Sequence, residues 1–281
     1  MTSTDSPTVS VIIPAHNEAG YLGRTLEALF ASEVSGLDAQ AIVVANGCTD
    51  DTAAIAQGYE AQAQAAGWAL TVVDSAEGGK PLALDLGEAE ARGRVLIYLD
   101  ADVIVSPGVI AALARALDTD RPLYGGGTPI VTRSPSAVTR AYTRMWTRMP
   151  FFETRAPGFG LFAINRAGRA RWGTWPRITG DDAFARLVFA PEERVQVAET
   201  YDWPPSDGFF ALVRVRRRQD QGVRELMAVR PDLEVNEDKV VPGAGRTVGL
   251  FLSDPVGWLT YAAVKLASKL PARGSGWARG R

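Results

Sequence analysis

The feature that most constrains this chain is a regular exchange, along its N-terminal part, between short apolar runs and segments of helical periodicity. The runs at 9–13, 41–44, 70–73 and 95–99 are nearly unbroken aliphatic stretches, the pattern of strands covered on both faces. Between them, helices are predicted over 18–31, 51–66 and 81–91, each opening with an acidic residue or proline where helix starts favour one. The order βαβαβαβ implies a mostly parallel sheet with right-handed crossovers, flanked by helices. Beyond a coarse boundary near Val105 the pattern loosens. Helices are expected at 136–149 and 181–189 and a strand at 159–164, with proline- and tryptophan-rich loops at 172–176 and 203–205. The expected organisation is one domain with a ligand-binding half over 1–104 and an irregular half over 105–232, followed by a helical tail over 233–281.

In open sheets of this kind ligands bind at the carboxyl ends of the strands, so the polar residues following each run are the ones to examine. The first run delivers Pro14, His16, Asn17 and Glu18; the second delivers Asn46; the third delivers Asp74 with Gly78-Gly79-Lys80 beyond it; the fourth delivers Asp100 and Asp102. Strand alternation would send the last two carboxylates to one face, and such a pair suits a hard divalent cation, Mg2+ or Mn2+. Aspartates ending a strand equally suit an ordinary turn. A second acidic pair, Asp181 and Asp182, opens the helix expected at 181–189; one of the two would serve as an N-cap, and a carboxylate there can also act as a general base. Gly79-Lys80 at a helix start offers backbone N–H groups and an ammonium to an anion, although the P-loop pattern is absent. His16 is the only histidine, no nucleophile elbow occurs, and the single cysteine, Cys48, lacks an obvious base, so a serine- or cysteine-based hydrolytic mechanism would rest on His16 alone and competes poorly.

Taken in order, Val9-Ser-Val-Ile-Ile-Pro-Ala-His-Asn-Glu18, Val43-Val-Ala-Asn-Gly-Cys-Thr-Asp-Asp-Thr52, Gly79-Lys80-Pro-Leu-Ala-Leu84, Asp100-Ala-Asp102 and Gly180-Asp-Asp182 resemble the motif series of family 2 glycosyltransferases. The resemblance implies a GT-A fold with a Rossmann-like sheet, a nucleotide-diphosphate sugar donor and a hydroxyl acceptor, whether glycan, lipid or small molecule. It implies that Pro14, His16, Asn17 and Glu18 border the nucleotide, that Asn46 and Asp74 lie near base and ribose, and that Lys80 faces the donor. Asp102 would hold Mg2+ or Mn2+, with Asp100 on ribose or metal-bound water; Asp182 would be the base of an inverting transfer, Asp181 the alternate. The chain departs from the family in carrying Ala45-Asn46 where Asp-Asp is frequent, and it lacks the Q-x-x-R-W motif of processive synthases, which points to transfer of one sugar. A sugar-phosphate nucleotidyltransferase would show a G-x-G-T-R loop near its start; a catalytically silent scaffold would not need both acidic pairs.

The net charge of −2 gives no field for nucleic acid, so no nucleic-acid partner is expected. Positions 1–8 have neither a basic start nor an apolar core, and one cysteine forms no internal disulfide; both suit a cytoplasmic protein. Arg214, Arg216, Arg217 and Arg218 form a basic cluster expected on a solvated helix face, with diphosphate binding the alternative. Trp172, Trp175 and Trp203 suit either loop packing or stacking on an acceptor sugar. In the tail, Asp254-Pro255 interrupts the apolar run, so no bilayer span is expected. Residues 254–270 are instead predicted to form an amphipathic helix whose stripe of Val256, Leu259, Ala263, Leu266 and Leu270 packs on the body or on a second copy in a homo-oligomer, with peripheral contact to the inner membrane face as the alternative.

Overall fold

The computed structural model describes residues 8–270. The expectation for positions 1–8 therefore lies almost wholly outside the described residues, as does the end of the tail. The N-terminal half runs β1 (Thr8–Ala15), α1 (Leu22–Phe30), β2 (Asp38–Asn46), α2 (Thr52–Gly58), α3 (Glu60–Ala65), β3 (Trp68–Ser75), α4 (Lys80–Glu90) and β4 (Val95–Leu99). The rest comprises β5 (Ile104–Val105), α5 (Val109–Leu117), β6 (Tyr124–Val131), α6 (Ala137–Trp146), β7 (Leu161–Asn165), α7 (Arg166–Arg169), α8 (Asp181–Leu187), β8 (Arg194–Trp203), α9 (Phe209–Val229), α10 (Ala244–Ser253) and α11 (Pro255–Lys269).

All strands join one sheet in the order β3-β2-β1-β4-β7-β6-β8-β5. The first four are parallel, as the crossover pattern requires. Then β7 enters antiparallel to β4 and β6 antiparallel to β7, while β8 lies parallel to β6. Alternation along β1 sends Val11 and Ile13 into the layer beneath α1 and α5, and Ile12 into the opposite layer with Leu84 of α4 and Phe184 of α8. Burial on both faces thus explains the unbroken aliphatic runs of the central strands. The α/β class with flanking helices is as expected.

Several boundaries differ. The first helix begins at Leu22 rather than at position 18, because the Glu18 carbonyl accepts the N–H groups of Tyr21 and Leu22 in a turn, and the Glu18 N–H donates to Thr52 Oγ1 at 2.8 Å. The segment expected as one helix over 51–66 is two, broken at Tyr59. Strands β6 and β8 were not anticipated. In β6, Gly125-Gly126-Gly127 imitates a loop, but each glycine answers a close approach: a Cβ on Gly125 would meet Leu117 Cδ1 at 2.7 Å, and one on Gly127 would meet Val109 Cγ2 at 2.8 Å. Trp203 is accordingly the end of β8, while Pro204 and Pro205 lie in the loop expected there.

The tail corrects the expected orientation of its helix. α11 faces α6 and α9 with Tyr261, Val264 and Ser268, and Gly257 admits the carbonyl of Ala141, which a Cβ would approach to 3.0 Å. The predicted packing stripe of Val256, Leu259, Ala263, Leu266 and Leu270 is the exposed face. Arg217 belongs to this junction: its guanidinium donates to the carbonyls of Ala267 (2.9 Å), Ser268 (3.2 Å) and Leu270 (2.9 Å) and so caps the helix end. Arg216 pairs with Asp220 four residues on, at 3.0 Å.

Candidate active site

The carboxyl ends of β1, β2 and β4 meet the starts of α4 and α8 at a cleft lined by Pro14, Lys80, Leu84, Tyr98, Leu99, Asp100, Gly158, Gly160, Phe162 and Asp182. Carboxylates from positions 100 and 182, far apart in sequence, therefore share one opening. Between the two acidic pairs stands Lys80. Its Nζ donates to Asp100 Oδ1 at 2.9 Å and lies 3.1 Å from Asp181 Oδ2, the latter an ion pair without hydrogen-bond alignment. Burial works against the Lys80 charge, but Asp100, Asp181 and Asp182 together outweigh it and raise its pKa.

The backbone explains how the ammonium reaches this point. Gly79, at φ 136°, turns the chain into α4 with Lys80 as its first residue and proline next. Asn46 holds that turn. Its side chain is buried, with Nδ2 donating to the Ala15 carbonyl at 3.1 Å and Oδ1 accepting the Gly79 N–H at 3.0 Å. Asn46, expected beside base and ribose, is thus a strut between β1, β2 and the Lys80 turn, with its amide occupied by protein partners. His16 Nδ1 lies 2.7 Å from the Asn46 carbonyl, and Asn17, in the left-handed region at φ 57°, accepts the Thr49 N–H at 2.7 Å. Pro14, His16, Asn17 and Glu18 are partly exposed along the rim, and Asp74 is exposed near the end of β3.

Asp100 leaves β4 with its N–H donating to the Gly160 carbonyl at 2.9 Å, and Val103 N–H closes back onto the Asp100 carbonyl at 3.1 Å. The chain is therefore turning, not extended, across Asp100 and Asp102, so the alternation argument for their shared face does not hold; Asp102 is half-buried within the turn. Among the described residues no group of three or more histidine, cysteine or acidic side chains is arranged to hold a metal ion. Two carboxylates alone fit a hard cation that takes its remaining ligands from diphosphate and water.

Gly180, not an aspartate, is the N-cap of α8; both acids lie in its first turn. Gly180 can sit there because it abuts Gly222 of α9, where a Cβ on Gly222 would approach the Gly180 nitrogen to 2.9 Å. Asp181 is buried and turned to Lys80, whereas Asp182 borders the cleft and accepts the Ala183 N–H at 2.8 Å. Burial and the adjacent Asp181 charge push Asp182 up to about 6, against the pull of Lys80.

The tryptophan question resolves toward packing. Trp175 is buried against Tyr98, Phe162 and Phe184, and its Nε1 donates to Glu88 Oε1 at 2.6 Å. Trp172 packs edge-on against Trp175 with the Arg169 guanidinium over its ring, and Trp203 packs on Trp146 and Phe159. Sequence reading missed Tyr98, Gly158, Gly160 and Phe162 as lining residues. For the two glycines the signal was the run Gly158-Phe159-Gly160 ahead of β7, where they adopt φ of 78° and 77°.

The sheet thus gathers Lys80, Asp100, Asp181 and Asp182 at its carboxyl rim. A model of the family described as glycosyl transferase family 2 matches residues 10–171, more than half of the chain. The chain belongs to glycosyl transferase family 2. It is similar to Probable glycosyltransferase YdaM of Bacillus subtilis (strain 168), with 34% identity over 96 residues, or 34% of this chain. That match spans only 23% of the relative. Among solved structures it resembles the mannosyltransferase PcManGT from Pyrobaculum calidifontis in complex with GDP-Man and Mn2+ (22% identity, TM-score 0.58, 96% of this chain and 76% of that one). It also resembles glucosyl-3-phosphoglycerate synthase from Mycobacterium tuberculosis in complex with Mn2+, UDP and glucosyl-3-phosphoglycerate (20% identity, TM-score 0.50, 85% and 82%). These likenesses establish the fold.

Proposed function

We propose that the protein moves a single sugar from a nucleotide-diphosphate donor to a hydroxyl acceptor with inversion, and that Asp182 is the general base. The supporting observation is the shared cleft, in which Asp182 borders the same opening as Asp100 and Lys80. In the proposed step the acceptor oxygen attacks the anomeric carbon from the face opposite the diphosphate. Its proton passes to the Asp182 carboxylate, and the bond from carbon to phosphate oxygen breaks, leaving its electron pair on the nucleoside diphosphate. A carboxylate raised to about 6 suits this role, being ionised at neutral pH yet more basic than an ordinary aspartate. Asp181, the alternate base, is engaged with Lys80 and buried, which favours Asp182.

Lys80 would turn its ammonium to the donor phosphates, with Asn46 positioning it through the Gly79 N–H. His16, Asn17 and Glu18 on the rim, together with Pro14 and Asp74, would border the nucleotide. Asp102, with Asp100, would hold Mg2+ or Mn2+, which when bound stabilises charge on the leaving diphosphate. Residues 1–104 would then form the donor half and 105–232 the acceptor half, in a cytoplasmic enzyme. The test is transfer or hydrolysis across a panel of nucleotide sugars with Mn2+. Asp182→Asn should lower kcat by at least about 100-fold with donor binding kept, and wild-type kcat/KM should rise as pH climbs through about 6. Retained turnover in the asparagine variant would overturn the assignment.

A further inference from the structure

The two helices of the C-terminal hairpin are apolar on the side they turn away from the protein. On α10 that side carries Val248, Phe251 and Leu252; on α11 it carries Val256, Leu259, Leu266 and Leu270, with Leu252, Leu259 and Leu266 exposed to 71, 56 and 66%. A helix on the surface of a water-soluble body normally presents charge on its outer face, so a helix apolar on both faces marks a surface meant for a second partner.

The hairpin is held in place. Arg144 pairs with Asp254 at 3.0 Å, Arg148 donates to Ser253 Oγ at 2.9 Å, Arg246 pairs with Glu153, and Asp254 also caps α11 through the Gly257 N–H at 2.9 Å. The apolar side is therefore fixed outward rather than folded back.

Charge identifies the partner. From position 239 to the end of the chain there are seven lysines and arginines against the single acid Asp254, in a protein whose net charge is −2. That acid is neutralised by Arg144, whereas Lys239, Lys265 and Lys269 are exposed, the latter two one helical turn apart along the edge of the apolar stripe. No helix among the described residues is long and apolar enough to cross a membrane, so insertion would be in the plane of the interface. A symmetric dimer through this face would set the same lysines against one another, whereas an anionic lipid surface supplies both an apolar interior and the opposite charge.

We infer that the outward face of the α10–α11 hairpin docks on an anionic bilayer surface, with Leu259 and Leu266 entering the acyl boundary and Lys265 and Lys269 meeting lipid phosphates. The experiment is flotation of the full chain with vesicles of phosphatidylcholine alone or mixed with phosphatidylglycerol, with donor hydrolysis measured in the absence of lipid. Wild type should float with the mixed vesicles only, and less as salt rises. L259D/L266D should lose at least about tenfold in binding, and Lys265→Gln and Lys269→Gln about fivefold each, from ~1 kcal/mol per basic residue. Thermal melting and lipid-free donor hydrolysis should stay as in wild type, which separates this surface from the cleft. The inference is overturned if wild type ignores anionic vesicles or if L259D/L266D binds like wild type. It is also overturned if sedimentation velocity shows a concentration-dependent dimer that L259D/L266D dissociates, since a second copy would then cover the face.

Discussion

Asp182 offers a prediction in which stability and activity move in opposite directions. Its pKa, raised from 3.8 to about 6, means that ionising this carboxylate costs about 3 kcal/mol more in the folded protein than in the unfolded chain, taking ~1.4 kcal/mol per pKa unit. The folded state prefers the protonated acid. The stabilisation from that preference is fully present below the unfolded value of 3.8 and is lost as pH rises through about 6. Neutral asparagine has no such loss, so Asp182→Asn should be the more stable protein at pH 8. The figure of about 3 kcal/mol is a ceiling, because Asp182 borders solvent; about 1–2 kcal/mol is the expected gain. That corresponds to roughly 2–8 °C in Tm. Differential scanning calorimetry at pH 8 and pH 4 measures it: the gain should be present at the first and nearly absent at the second, while transfer activity is lost. An equal gain at both pH values, or none at pH 8, would refute the claim that the cleft holds this carboxylate against its preferred state.

Lys80→Met removes the cation standing between three carboxylates and should destabilise by about 1–3 kcal/mol at pH 8, less than a fully buried pair because Lys80 is partly exposed. Urea titrations should show the loss shrinking as pH falls through 6 and Asp182 takes up its proton; a pH-independent loss would contradict the arrangement. Asp102→Ala should weaken Mn2+ binding in the presence of nucleoside diphosphate by about tenfold or more, read as free Mn2+ by electron paramagnetic resonance. Gly158→Ala would put a Cβ 1.8 Å from Tyr124 Oη at a positive φ, and should cost about 1–3 kcal/mol or more. Because that hydroxyl has no hydrogen-bond partner among the described residues, Tyr124→Phe should cost little alone and restore part of the loss in the double variant, both checked by thermal melting.

The parallel half of the fold was readable because its central strands β1, β2 and β4 are buried on both faces and so are written as aliphatic runs, with turn residues between them. β6 was unreadable for the opposite reason: packing beneath α5 demands glycine at Gly125 and Gly127, and glycine in a sequence reads as a loop. β8 carries the charges of Glu199 and Asp202 on exposed positions and is held between β6 and β5, partners that its own sequence does not announce. The site divides along the same line. Motif order brought Lys80, Asp100 and Asp182 to attention, and the fold brings all three to one cleft. The strut role of Asn46 depends on which atoms its amide meets across three segments, and no spacing along one segment encodes that.

The C-terminal hairpin carries the same reasoning one step further. Periodicity identified Val256, Leu259, Ala263, Leu266 and Leu270 as one stripe, and an apolar stripe is normally the buried one. Here the opposite face, built from Gly257, Tyr261, Val264 and Ser268, makes the close contact, because its small residues let α11 approach α6 and because Arg217 satisfies the helix end. Once that face is committed to the body, the larger residues are left outward. Their exposure follows from the better fit of the small face, and it makes the hairpin a surface whose partner must be both apolar and negatively charged.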